Sequence, residues 1–219
     1  MATDALSADP RPDRLMEMPS VCKRLFLFMS IAGAFAADKE PEKFEVRPVT
    51  EYKARQTNAK VTIAAQAFVS DDDARPPFGK INPYKYGILP ILVVIQNASD
   101  RAISVEQLKM EYVTADHQRI FNTPAKDVRF VNSGDKPNVT IGPTGPKLGK
   151  QKKNPLADWT IEGRAFAAKM IPAEQSASGI FYFQTGFQRS ASLVVSGLRD
   201  ARSGEDLFYF EIPLTEALK

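Results

Sequence analysis

Asp71-Asp72-Asp73 is the densest run of metal-ligating groups in the chain. Calcium takes about six to eight oxygen ligands, so clustered carboxylates are its first requirement. No D-x-D-x-D-G loop surrounds them, and adjacent aspartates do not all point at one ion. The triplet reads as a solvated loop, and no metal or other cofactor is expected. Sugar hydrolysis needs two carboxylates roughly 5–10 Å apart; Asp71, Asp72, Asp73, Asp158 and Glu162 are the candidate donors. His117 is the only histidine, and Asp116 beside it points the other way on a strand. A metal site or triad needs partners that the chain does not show, so His117 reads as a turn residue. No G-x-S-x-G elbow occurs. Gly142 to Pro146 lacks the G-K-[ST] end of a phosphate loop.

Recognition is better provided for than reaction. Phe78, Tyr84 and Tyr86 lie in a Pro-rich stretch and are candidate partner-facing aromatics. Lys147, Lys150, Lys152 and Lys153 form a basic tract able to touch an anionic polymer or lipid headgroups. Such tracts are also common as solubilising insertions. The net charge of +3 implies no nucleic-acid partner.

The compartment is read from Val21 to Ala37, "VCKRLFLFMSIAGAFAA". Its apolar run, Leu25 to Ala36, is twelve residues, and a bilayer span needs about 20. Lys23 and Arg24 precede it, and Ala34-Phe35-Ala36 ends it with a small-x-small pattern. A basic region, a short apolar core and an A-x-A end describe a secretory signal. Residues 1–36 are therefore expected to be a signal peptide cut between Ala36 and Ala37, with Met16 or Met18 as alternative starts. The competing reading is a buried helix of about three turns. Cys22, the only cysteine, falls inside the signal. The mature chain then has no thiol, disulfide, lipid anchor or membrane span, and is held by its core alone. A periplasmic or secreted location is expected. Asn97-Ala98-Ser99 and Asn138-Val139-Thr140 match the glycosylation triplet, a pattern common by chance.

The elements that position these groups read mostly as strands. Residues 37–59 are polar and are expected to be a flexible arm with one short strand around Phe44, Val46 and Val49. Val61, Ile63, Ala65, Ala67 and Val69 recur at period two, which predicts a strand from Lys60. "SDDDARPPFGKINPYKYG", residues 70–87, is expected to be a long loop. "ILPILVVIQN" supplies the most apolar strand, with Pro90 near its start. Ile103 and Val105 are out of phase with Leu108, Met110 and Tyr112, which predicts a bulge near Glu106-Gln107. Val128 and Phe130 suggest a short strand. Residues 134–154, rich in Gly, Pro and Lys, read as a flexible loop. Leu156, Trp159, Gly163, Phe166 and Met170 fall three or four apart, predicting a helix over 155–169, capped by Asn154, that packs Trp159 and Phe166 on a sheet. Leu193 and Val195 are expected to pair with Phe208, Phe210 and Ile212 in a closing hairpin. About seven short strands at this spacing predict an immunoglobulin-like antiparallel β-sandwich over 60–219, with one inserted helix.

"AKMIPAEQSASGIFYFQTGF", "LVVSGLRDARSGEDLFYFEIPL" and "FGKINPYKYGILPILVVIQNASDRAISV" carry a resemblance. They are similar to the closing and early halves of bacterial exported immunoglobulin-like β-sandwich proteins of unknown function. The resemblance covers about Lys60 to Leu214, rests on turns and core positions, and implies a fold and an exported location. It implies no activity and no site residue. The expected function is a non-enzymatic module that binds a protein or polymer of the cell envelope through residues 70–87 and 134–154. An enzyme or accessory subunit acting on envelope carbohydrate is the alternative, and a structural subunit of an envelope assembly is a third.

Overall fold

The computed structural model describes residues 44–131, 139–142, 145–148 and 154–218, all within one compact unit, Lys39–Lys219. The elements follow in the order β1 (Arg55–Asn58), β2 (Val61–Ala67), α1 (Asp71–Phe78), β3 (Leu89–Asn97), β4 (Ile103–Ser104), β5 (Lys109–Val113), β6 (Arg119–Phe121), α2 (Ala125–Val128), β7 (Val139–Gly142), β8 (Gly145–Leu148), α3 (Trp159–Gly163), β9 (Met170–Ile171), β10 (Ser176–Phe183), β11 (Ser192–Ser196), β12 (Arg199–Asp200) and β13 (Phe210–Pro213). Two four-stranded antiparallel sheets dominate, ordered β1-β2-β3-β10 and β13-β11-β5-β6. A small sheet, β12-β4-β9, and the hairpin β7-β8 accompany them.

Alternation assigns the faces. Ile63, Ala65, Ile91 and Val93 of the first sheet share a core with Met110, Tyr112, Leu193 and Ile212 of the second. The opposite face of the first sheet, with Ala64, Leu92, Val94 and Tyr182, is covered by Val49, Tyr52, Phe78, Val128, Leu156 and Ile161. β3 is thus covered on both sides. That is why "LPILVVI" is continuously apolar where a half-wet strand would alternate. The second sheet keeps its outer face in water, where Glu111 and Arg119 pair at 3.0 Å. Each fully buried Leu, Ile or Val contributes roughly 1.5–3 kcal/mol.

The closing hairpin has the expected register, Leu193 opposite Ile212 and Val195 opposite Phe210. Phe208 does not take part and is 74 % exposed. The phase change near Glu106-Gln107 is a turn rather than a bulge. The Leu108 N–H donates to the Val105 carbonyl at 3.1 Å, and the two halves join different sheets. Gly197 stands against this turn at φ 80°, where a Cβ would lie 2.1 Å from the Gln107 carbonyl oxygen.

Four other expectations are corrected. Residues 44–58 are no loose arm: Val49, Tyr52 and Ala54 are buried and β1 pairs with β2. Residues 70–87 hold α1 and a 3-10 turn, Pro83–Tyr86. Ser70 caps α1 by accepting from the Asp73 N–H at 3.1 Å. Pro76 and Pro77 lack donors, yet bonds from Ala74 to Ser70 and from Gly79 to Arg75 bracket them, and Ala74, Pro77 and Phe78 anchor the helix in the core. Val128 belongs to α2, not to a strand, and Phe130 is exposed. The helix over 155–169 is a 3-10 turn, Pro155–Ala157, followed by the short α3. Asn154 does cap the first, accepting from Leu156 at 3.0 Å, but Asp158 starts a second cap on Thr160 at 2.9 Å. The chain then straightens. Ala165 bridges to Ile180, and Phe166 stacks on Phe181 with centroids 5.4 Å apart. Trp159 is 77 % exposed.

Asn97 is fully buried. Its Nδ2 donates to the carbonyls of Arg101, Ile171 and Pro172 at 2.7, 3.2 and 3.0 Å. The amide is engaged inside the fold, so this triplet presents no glycan acceptor. Residues 1–43, including Met16, Met18, Ala36 and Ala37, lie outside the described residues, as do Asn138, Lys150, Lys152 and Lys153.

Candidate functional site

The groups singled out in the sequence disperse. Phe78 is 2 % exposed, its ring 6.1 Å from Phe68 and 6.3 Å from Tyr182, so it faces the core and offers a partner nothing. Tyr84 is half-buried, and its hydroxyl accepts from the Phe187 N–H at 3.2 Å. Tyr86 alone of the three is exposed. Lys147 lies on β8 at the register position opposite Thr140. His117 sits in a turn at φ 63°, its N–H donating to the Thr114 carbonyl at 3.0 Å. Among the described residues no three His, Cys, Asp or Glu cluster as metal ligands. No described helix is long and apolar enough to cross a membrane.

The carboxylates mostly hold structure. Hydrogen bonds from Lys85 at 2.5 Å and Asn82 at 2.9 Å keep Asp71 below the usual carboxylate range. Asp158 caps α3, and Glu162 pairs with Arg129. Asp73 differs, because it also faces a cleft.

That cleft, about 300 Å³, lies between the segment Phe44 to Tyr52, α1 and the outer face of β2 and β3. The turn Val49–Glu51 reverses the chain and brings Arg47 back onto Tyr52. Arg55 fixes the turn by donating to the carbonyls of Thr50 and Tyr52 at 2.9 and 2.5 Å. The Arg47 N–H donates to the Tyr52 hydroxyl at 3.1 Å, and the guanidinium lies 4.8 Å from the Tyr52 ring centroid. Its Nη2 donates to Oε1 of buried Gln66 at 3.1 Å. A cation over an aromatic face is attracted by the ring quadrupole, so the guanidinium is fixed on two sides. It carries five N–H donors, and among the described residues it forms no ion pair. Across the cleft Asp73 is half-buried, with one carboxylate oxygen accepting from the Ser70 hydroxyl at 2.6 Å. Glu45 lines the same space, and half-buried Phe44 and Pro76 make it apolar in part, over the buried Phe68 and Leu92. A second hollow, of about 380 Å³, lies beside Phe166 and Phe181, and of its lining residues Glu106 and Lys169 are charged.

Arg47, Tyr52 and Gln66 are not evident from the sequence. The available signal is the pair Val49 and Tyr52, two apolar positions three apart in an otherwise polar stretch.

No protein-family model matches the chain, and no curated protein is significantly similar to it. Among solved structures, the chain is similar to the yjhA protein from Bacillus subtilis at 11 % identity and a TM-score of 0.41, over 77 % of this chain and 98 % of that one. A functionally unknown protein from Listeria monocytogenes EGD-e is similar at 11 % identity and a TM-score of 0.32, over 73 % and 79 %. These likenesses speak to neither activity nor partner.

Proposed function

We propose that the chain is an exported, immunoglobulin-like β-sandwich that acts as a non-enzymatic binding module of the cell envelope, with the Arg47 cleft as its contact surface. The observation that carries this reading is the guanidinium held between Tyr52 and Gln66, with Gln66 its one side-chain hydrogen-bond partner among the described residues. A charged group fixed before a ligand arrives loses little freedom on binding. Among the described residues the cleft is lined by no histidine, lysine, serine or cysteine that could serve as nucleophile or base beside its carboxylates. Export is supported by the basic-apolar-A-x-A pattern ending at Ala36.

One observation favours a second reading. Glu45 and Asp73 line one cleft, and a pair of carboxylates is the machinery of glycoside hydrolysis. The chain would then act on envelope carbohydrate.

One experiment separates these. The protein is recovered from its host by fraction and weighed intact, then incubated with isolated envelope. A species beginning at Ala37 in the periplasm or medium, co-sedimenting with envelope and releasing no soluble sugar, is the expected result. Loss of co-sedimentation in Arg47→Gln would place the contact at the cleft. A full-length cytosolic species would overturn export, and sugar release abolished by Asp73→Asn would establish the enzyme.

A further inference from the structure

We propose that the cleft takes a short zwitterionic peptide, its carboxylate on Arg47 and its ammonium on Asp73. The inference rests on reading the cleft as a binding site and names the ligand class.

Charge decides the class. A planar guanidinium matches a carboxylate through two parallel N–H···O bonds. A simple anion, however, would also face Asp73, and a simple cation would face Arg47. Like charges brought together at a binding site are unfavourable. A ligand bearing both charges answers Arg47 and Asp73, while Glu45, the third charged residue of the lining, is already engaged elsewhere. Neither protein group is already neutralised: among the described residues, Arg47 and Asp73 have no ion-pair partner.

Size and lining narrow the class further. A cleft of about 300 Å³ is at the small end of ligand sites, suited to one or two residues rather than to a polymer strand. Phe44 and Pro76, both half-buried, are the apolar lining residues that reach the surface of the cleft, suited to an aliphatic or aromatic side chain. A neutral sugar would leave both charged groups unanswered. Pre-organisation is built in: the guanidinium is held by a buried glutamine and an aromatic face, and Asp73 by Ser70 and the first turn of α1.

The test is calorimetric titration of the full-length protein with alanyl-phenylalanine, its N-acetyl derivative and its C-terminal amide. Each blocked end should weaken binding by about tenfold to a hundredfold, the range of one charge-assisted contact. Arg47→Gln should erase the difference between acid and amide while keeping the effect of N-acetylation. Asp73→Asn should do the reverse. Arg47→Lys, which keeps the charge and loses the fork, should fall between wild type and Arg47→Gln; near-ultraviolet circular dichroism confirms that each variant is folded. Equal binding of the three ligands overturns the proposal and leaves an apolar cleft. If none binds while isolated envelope fragments shift the amide resonances of Arg47 and Gln66, the peptide is wrong and the binding-site reading stands. If none binds and those resonances stay still, both fall.

Discussion

Replacing Asn97 with alanine should cost the fold about 3–5 kcal/mol. The side chain is fully buried at the end of β3. It donates to three carbonyls, of Arg101, Ile171 and Pro172, and its Oδ1 accepts from the Ser99 N–H at 3.1 Å and hydroxyl at 2.6 Å. A typical intramolecular hydrogen bond contributes about 0.5–1.5 kcal/mol net, and a buried polar atom left without its partner costs about 1–3 kcal/mol. The Ile171 bond is buried, so its carbonyl meets no water when the donor goes. The loss also removes a side-chain tie between β9 and the first sheet. Urea unfolding followed by far-ultraviolet circular dichroism measures the change, with the slope as a check on cooperativity. For a domain of this size the midpoint temperature should fall by about 10 °C. Asn97→Asp has the same shape but aims an acceptor at three acceptors, and should be at least as destabilising. A loss below about 1 kcal/mol in Asn97→Ala, at unchanged slope, would refute this accounting.

Three further outcomes follow from single residues. Gly197→Ala should cost at least about 2 kcal/mol, because it adds a clash with Gln107 to a left-handed φ; Gly204→Ala, at φ 73° with open space around it, should cost only about 1 kcal/mol, and chemical denaturation separates them. Trp159→Ala should change stability by less than about 0.5 kcal/mol, and acrylamide should quench this sole tryptophan readily, since 77 % of it meets solvent. Asp200 is held below the usual carboxylate range by the Ser203 and Arg202 N–H groups, with Arg101 near its other oxygen. A depressed folded value means that its contribution is present above the ordinary value of 3.8 and is lost as pH falls from there through the lower folded value. Asp200→Asn should therefore lose less stability than wild type when urea midpoints at about pH 5 and pH 3 are compared.

Periodicity told the truth where one cause acted. Val61 to Ala67, Ser192 to Ser196 and Phe210 to Pro213 are strands because alternating side chains face a shared core, and no local signal competes. It misled where a tertiary contact took over. Leu156 to Met170 has helical spacing, but the Ala165 bridge to Ile180 and the Phe166–Phe181 stack pull the chain straight after Gly163. Gly179 permits this, since a Cβ there would lie 2.3 Å from the Phe166 Cα. Pro76 and Pro77 argued for a loop, and burial of Pro77 and Phe78 outweighed them. The cleft was hidden for a related reason. Arg47, Gln66 and Asp73 come from three separate segments, and only the reversal at Val49–Glu51 sets the first beside the second. Charge and composition cannot register that juxtaposition.

The measurement that bears most directly on the cleft as a contact surface is a backbone amide NMR titration of the full-length protein with isolated envelope fragments. The predicted result is a set of saturable shifts in Phe44 to Tyr52, Gln66 and α1, absent from Arg47→Gln. Shifts confined to Phe130, Trp159 or Tyr86, with the cleft unmoved, would contradict it.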